Sequence, residues 1–154
     1  MKKPNLEIIK KIRRYCTEID NALQGVTFQQ FNSSEQMYRD KRSACSLYLF
    51  QIGELAHKLT DNFKKEYSGY NWSGAYRLRN IIGHDYEVIS NDALWKASQQ
   101  NRAKLLGYTA QIISEAEQEA TMSDPLPSND KRKPEDKTEN NHEIPPNQDR
   151  QGEN

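Results

Sequence analysis

The chain predicts an all-α fold for residues 1–120, followed by a polar tail over 121–154, and three observations predict it. Apolar residues recur every three or four positions through four separate stretches, the period of an amphipathic helix. No stretch alternates apolar and polar residues as a half-buried strand does. From about Thr121 onward apolar residues nearly vanish, so the overall hydrophobic content of 34% is unevenly spread and residues 1–120 carry a more ordinary core. At 154 residues there is room for one domain.

The first helix is expected from Pro4 or Asn5 to about Gln24, with Ile8, Ile9, Ile12, Tyr15, Cys16, Ile19 and Leu23 on one stripe. Lys10, Lys11, Arg13 and Arg14 fall mainly on the other faces, a solvated surface that is also open to RNA phosphates. Gly25 is placed to end the helix as a C′ residue. Ser33 and Gln36 then offer a capping box for a long second helix, reaching about Leu59. Its stripe reads Met37, Ala44, Cys45, Tyr48, Ile52, Leu55, Ala56 and Leu59. Gly53 inside it costs about 1 kcal/mol relative to Ala, a cost that close approach of another helix would justify. His57, three residues after Glu54, reads as its surface or half-buried partner.

Residues 60–72 read as a polar loop anchored by Phe63, Tyr67, Tyr70 and Trp72. A third helix starts near Ser73, and Gly83 marks its fraying end. Ser90 or Asn91 caps a fourth, which carries Leu94, Ala97, Leu105, Tyr108 and Ile112 on one face and continues to about Ala120. Beyond it, Pro125, Pro127, Pro134, Pro145 and Pro146 forbid regular helix, and the tail has too little apolar surface to offset its ordering entropy. Disorder is the expectation there.

The formal charge of zero is a cancellation. The tail holds eight acidic and five basic residues, which leaves 17 basic and 14 acidic in residues 1–120, a mildly basic body with a net charge of +3. Such a body permits nucleic acid as a partner without demanding it. Cys16 and Cys45 stand alone, outside any C-x-x-C pair, and read as buried reduced thiols. No apolar run approaches the roughly 18 residues needed to span a bilayer, and no cleavable leader is recognised. A soluble, cytoplasmic protein is expected, with no membrane partner.

Chemistry concentrates in Arg79-Asn80-Ile81-Ile82-Gly83-His84-Asp85-Tyr86. An arginine grips phosphate oxygens in a fork, and an imidazole moves protons near neutral pH. Together they suit RNA cleavage, where the ribose 2′-hydroxyl is itself the nucleophile and neither a metal nor a protein nucleophile is required. No H-E-x-x-H, Cys/His cluster, Walker loop or G-x-S-x-G elbow points to other chemistry. On one straight helix Arg79 and His84 lie about 140° apart, whereas Asn80 and His84 share a face. A site using both Arg79 and His84 therefore needs either a chain that turns at Gly83 or two subunits with their motifs side by side. From spacing alone, the competing reading is a helix end with a dipole-stabilised histidine.

The stretch resembles the HEPN superfamily and its R-x4–6-H ribonuclease signature, and is closer still to the HepT toxins of the HepT/MntA toxin–antitoxin systems. Their R-x4-H-x-Y motif stands here as Arg79, His84 and Tyr86. Ile52-Gly53-Glu54-Leu55-Ala56, Asn71-Trp72 and Asp92-Ala93-Leu94-Trp95 extend the similarity over about residues 5–116. The resemblance implies a HEPN-like antiparallel bundle of four to five helices, dimerising through the motif helix. It implies a homodimer whose composite cleft cuts RNA without metal, with Arg79 and His84 catalytic and Asn80 supporting the site. Tyr86 would receive AMP from a MntA-type nucleotidyltransferase antitoxin, silencing the toxin; that partner uses the ATP, and this chain takes no cofactor. Arg77 also satisfies the looser spacing, six residues before His84, but Asn80 following Arg79 favours the latter. The alternatives are a non-catalytic HEPN nucleotide-binding or docking subunit of a nucleotidyltransferase complex, and a purely structural helical dimer.

Overall fold

A computed structural model of the chain describes residues 1–85 and 88–123. These residues are all-helical apart from short connections. Helix α1, Lys3–Ala22, carries Pro4 in its first turn, where a missing N–H costs nothing. Ile9, Ile12, Cys16, Ile19 and Leu23 of the expected stripe are all buried. The helix closes at Leu23, and Gly25 takes the left-handed conformation at φ 68°, as its position after the helix predicts.

A short helix, α2 (Phe28–Phe31), follows where none was expected. Its capping box joins Thr27 and Gln30: the Gln30 amide donates to Thr27 Oγ1 at 3.2 Å and the Thr27 amide to Gln30 Oε1 at 3.0 Å. The box expected at Ser33 does not form. The Ser33 hydroxyl instead accepts from the Glu35 amide at 3.1 Å, while Arg42 donates to the Ser33 and Phe31 carbonyls. That double grip ties the turn down and delays the next helix to Gln36.

Helix α3, Gln36–Lys58, is the central element, packed on by α1, by α2 and by the later helices Trp72–His84 and Asn91–Gln100. Cys45, Leu49, Ile52 and Ala56 form its buried stripe, and Met37, expected inside, is exposed at its first turn. The expected loop at 60–72 contains helix α4, Asp61–Glu66. Thr60 caps it by accepting from the Phe63 amide at 3.3 Å. Buried Asn5 of α1 locks that cap, donating to Thr60 Oγ1 at 3.0 Å and accepting from the Thr60 amide at 3.2 Å. The aromatic anchors are real: Phe63, Tyr67 and Trp72 are buried, and Trp72 Nε1 donates to the Tyr67 carbonyl at 2.7 Å.

Helix α5, Trp72–His84, is capped by Asn71, which accepts from the Gly74 amide at 2.9 Å. Ser90 caps α6, Asn91–Gln100, through the Ala93 amide at 3.1 Å. The expected single helix to Ala120 continues instead through a π-helical turn, Asn101–Leu105, into α7, Leu106–Ser123. Just after that turn, Arg13 of α1 donates to the Leu106 carbonyl at 2.6 Å, which Thr109 Oγ1 also reaches at 3.0 Å, so this arginine is not merely solvated. Ser98 and Asn101 are buried with no hydrogen-bond partner among the described residues other than the thiols of Cys45 and Cys16, which are weak ones. Both cysteines are buried and free, as expected. Among the described residues no helix is long and apolar enough to cross a membrane. The expected disordered tail lies, from residue 124 on, outside the described residues.

Candidate functional site

The antiparallel seam between α3 and α5 builds the site. At about 100° per residue, α5 turns Ala75, Arg79 and Gly83 toward α3 and Arg77, Ile81 and His84 toward solvent, with Asn80 between. Gly53 makes the seam close: a Cβ there would lie 2.6 Å from the Ala75 carbonyl oxygen and nearer still to Arg79 Cβ. The close approach predicted from a mid-helix glycine is therefore the reason for that glycine.

Arg79 is held on three sides. Its Nε donates to Glu54 Oε1 on α3, its Cζ lies 4.6 Å from the Phe50 ring centroid, and its Nη1 donates to Asn80 Oδ1 at 3.2 Å. Arg79's side chain remains 26% exposed and that of Glu54 34%. Gly83 supplies a second notch, because a Cβ there would lie 3.0 Å from Phe50 Cε2 and 3.5 Å from Arg79 Nη1. The guanidinium thus extends along α5 toward Gly83, the neighbour of His84. Nε is anchored by Glu54 and Nη1 by Asn80, so the fork's capacity to meet a phosphate rests on Nη2 and the second Nη1 hydrogen.

His84 is the last residue of α5 and is exposed, with no side-chain hydrogen bond among the described residues. The expectation that the helix ends at Gly83 is corrected. The Asp85 amide donates to the Ile81 carbonyl at 3.1 Å, carrying the helical ladder past Gly83, which does not adopt a positive φ. Arg79 and His84 therefore occupy one helix on different faces, with Asn80 on the surface between them, and the turn-at-Gly83 device falls away. Arg77 projects from the exposed face, on the same side as His84. Tyr86 lies outside the described residues.

Glu54 does not pair with His57 as the three-residue spacing implied. It pairs across the seam with Arg79, while His57 stacks on Tyr76 with ring centroids 3.9 Å apart and planes 11° apart. Glu54 and Phe50 are the site residues that the sequence reading missed; their signal was adjacency to Gly53, the point of closest helix approach. A cleft of about 640 Å³ lies at the other end of α5, lined in part by Lys64, Asn71, Ser73 and Lys104, and includes none of the motif residues. Among the described residues no three His, Cys, Asp or Glu side chains are grouped as metal ligands.

Residues 6–112, from α1 into α7, match the HepT-like family model, described as ribonuclease HepT-like. No curated protein and no solved structure matches.

Proposed function

The chain belongs to the ribonuclease HepT-like family of the HEPN superfamily, and from that premise we propose that it is the toxin of a toxin–antitoxin pair, a metal-independent endoribonuclease using Arg79 and His84. The observation that carries this reading is the Arg79 fork, anchored at Nε by Glu54 and directed along α5 toward the end occupied by His84. In the reaction, the ribose 2′-oxygen attacks the adjacent phosphorus and the P–O5′ bond breaks. The products are a 2′,3′-cyclic phosphate and a 5′-hydroxyl. The 2′-hydroxyl proton goes to one imidazole, and the leaving 5′-oxygen takes a proton from another. Arg79 stabilises the charge on the pentacoordinate phosphorus, and Asn80 steadies Nη1 of the fork.

One motif histidine per chain makes a dimer chemically sensible, since two copies about a twofold axis supply both a base and an acid. Exposed apolar residues at this end of the seam support such a contact: Ile81, Val88, and Leu47 one turn before Phe50. Tyr86, two residues after His84 in sequence, would be the acceptor of AMP from a MntA-type antitoxin. An adenylate there brings negative charge to the arginine and fills the place of the RNA.

The test is cleavage of a single-stranded oligoribonucleotide with chelator present. Wild type should yield cyclic-phosphate ends, and Arg79→Ala and His84→Ala should not. Wild type that leaves RNA intact across pH would sink the catalytic claim. A second reading has one observation in its favour, the engagement of Arg79 by Glu54, which also suits an arginine that only ties two helices together. The chain would then be a non-catalytic docking or nucleotide-binding subunit. It would bind its nucleotidyltransferase partner and cut nothing.

A further inference from the structure

The stacked pair of His57 and Tyr76 is not used by that chemistry. Its two rings are nearly parallel, 11° apart in plane at 3.9 Å between centroids. His57 is exposed and Tyr76 half-buried, so the imidazole is the solvent-side member of the pile. The pair contributes to the α3–α5 contact as stacked aromatic rings do, and an unpaired nucleobase on its solvent side would extend it, because the base's π-face continues the stack.

The pair also stands in register with the motif. Tyr76, Asn80 and His84 follow one another at four-residue intervals along α5, so the stack lies about 12 Å along the helix from His84, a span of a few nucleotides. Exposed Arg77, adjacent to Tyr76, has no ion-pair partner among the described residues and stands beside the path between them. His57 lies ten residues beyond Leu47 on α3, about 15 Å away, toward the opposite end of the seam from the proposed dimer contact.

We propose that His57, backed by Tyr76, is a base-stacking subsite that holds one unpaired nucleobase of the substrate RNA a few nucleotides from the cut phosphodiester, with Arg77 on the intervening phosphates. The proposal rests on the ribonuclease reading for the word substrate, and its test separates the two. Fluorescence anisotropy with a labelled single-stranded oligoadenylate compares wild type with His57→Leu, His57→Phe and Tyr76→Leu, and wild type alone on oligomers carrying one abasic position.

His57→Leu should weaken binding about tenfold at unchanged melting temperature, and His57→Phe, which keeps a flat ring, should restore it. One abasic position should weaken binding to wild type and make no difference to His57→Leu. In cleavage the loss should appear in KM and not in kcat. Equal affinity of wild type and His57→Leu, failure of His57→Phe to rescue, or no sensitive abasic position overturns the subsite, as does wild type that binds no RNA. Should wild type bind but never cut, the ribonuclease reading falls and the binding comparison still decides the subsite.

Discussion

Glu54 of α3 accepts from Nε of Arg79 on α5, so the guanidinium is fixed by a carboxylate on a different helix from its own. With Nε on Glu54 and Nη1 on Asn80, Nη2 has no hydrogen-bond partner among the described residues. The Glu54 bond orients a cation instead of burying one, since both side chains keep a quarter to a third of their surface in water. Such a pair contributes little stability by itself; its value lies in direction.

Arg79→Lys should therefore fail as a conservative change. Lysine keeps the charge but can neither bond Glu54 and a phosphate at once nor stack on Phe50. A loss of kcat of more than about tenfold is expected, with melting temperature nearly unchanged. Glu54→Gln should cost less than Arg79→Lys, because an amide oxygen still accepts from Nε. Steady-state cleavage kinetics beside thermal melts check both.

Arg77→Ala should raise KM and flatten its salt dependence while leaving kcat intact, because the residue faces solvent and, in the proposed subsite, meets only backbone phosphates. A collapse of kcat in Arg77→Ala, with Arg79→Ala active, would transfer the catalytic role to Arg77.

Gly53→Ala should destabilise the fold by about 1–3 kcal/mol. The added methyl meets the Ala75 carbonyl and Arg79 Cβ, neither of which is a flexible tip. Urea denaturation measures it, and Gly25→Ala is a useful comparison, strained by its positive φ and not by crowding.

Alkaline pH should destabilise the fold. Burial pushes the Cys16 thiol from 9.0 up to about 12, with nearby Asn101 and Arg13 offsetting part of the rise, and burial pushes Cys45 up to about 11. The unfolded thiols lose protons first, so the unfolded state binds fewer protons once pH passes their ordinary value. The contribution is whole below that value and declines as pH climbs from about 9 toward 11. Denaturation midpoints across that range should fall, less steeply in Cys16→Ala compared at each pH, and thiol reagents should label neither cysteine until the chain unfolds.

Much of the fold is legible in the residues. The α1 stripe, Gly25 after it, the Ser90 cap and the demand for a close neighbour at Gly53 are all local signals, and each is present in the structure. What was illegible depends on partners distant in sequence. Helices α2 and α4 are too short to persist alone; Arg42 pins the turn after the first, and Asn5 locks the cap of the second. The π-helical turn leaves no period in the pattern, and the Leu106 carbonyl just after it is taken by Arg13 from α1. At the site, spacing along one helix offered His57 as the partner of Glu54. The register between two helices, which no single-helix spacing encodes, gave it Arg79 instead.

The glycine notch at residue 53 has a consequence for control. With the α5 backbone seated that tightly on α3, the clamp and the histidine ride on one rigid body. Sliding α5 to disarm the enzyme would drag it out of a socket with no slack, at the expense of the surrounding core. On the ribonuclease reading proposed above, silencing is therefore expected from outside, by a partner or group that covers the Arg79 and His84 end of α5 as a stopper and not as a lever.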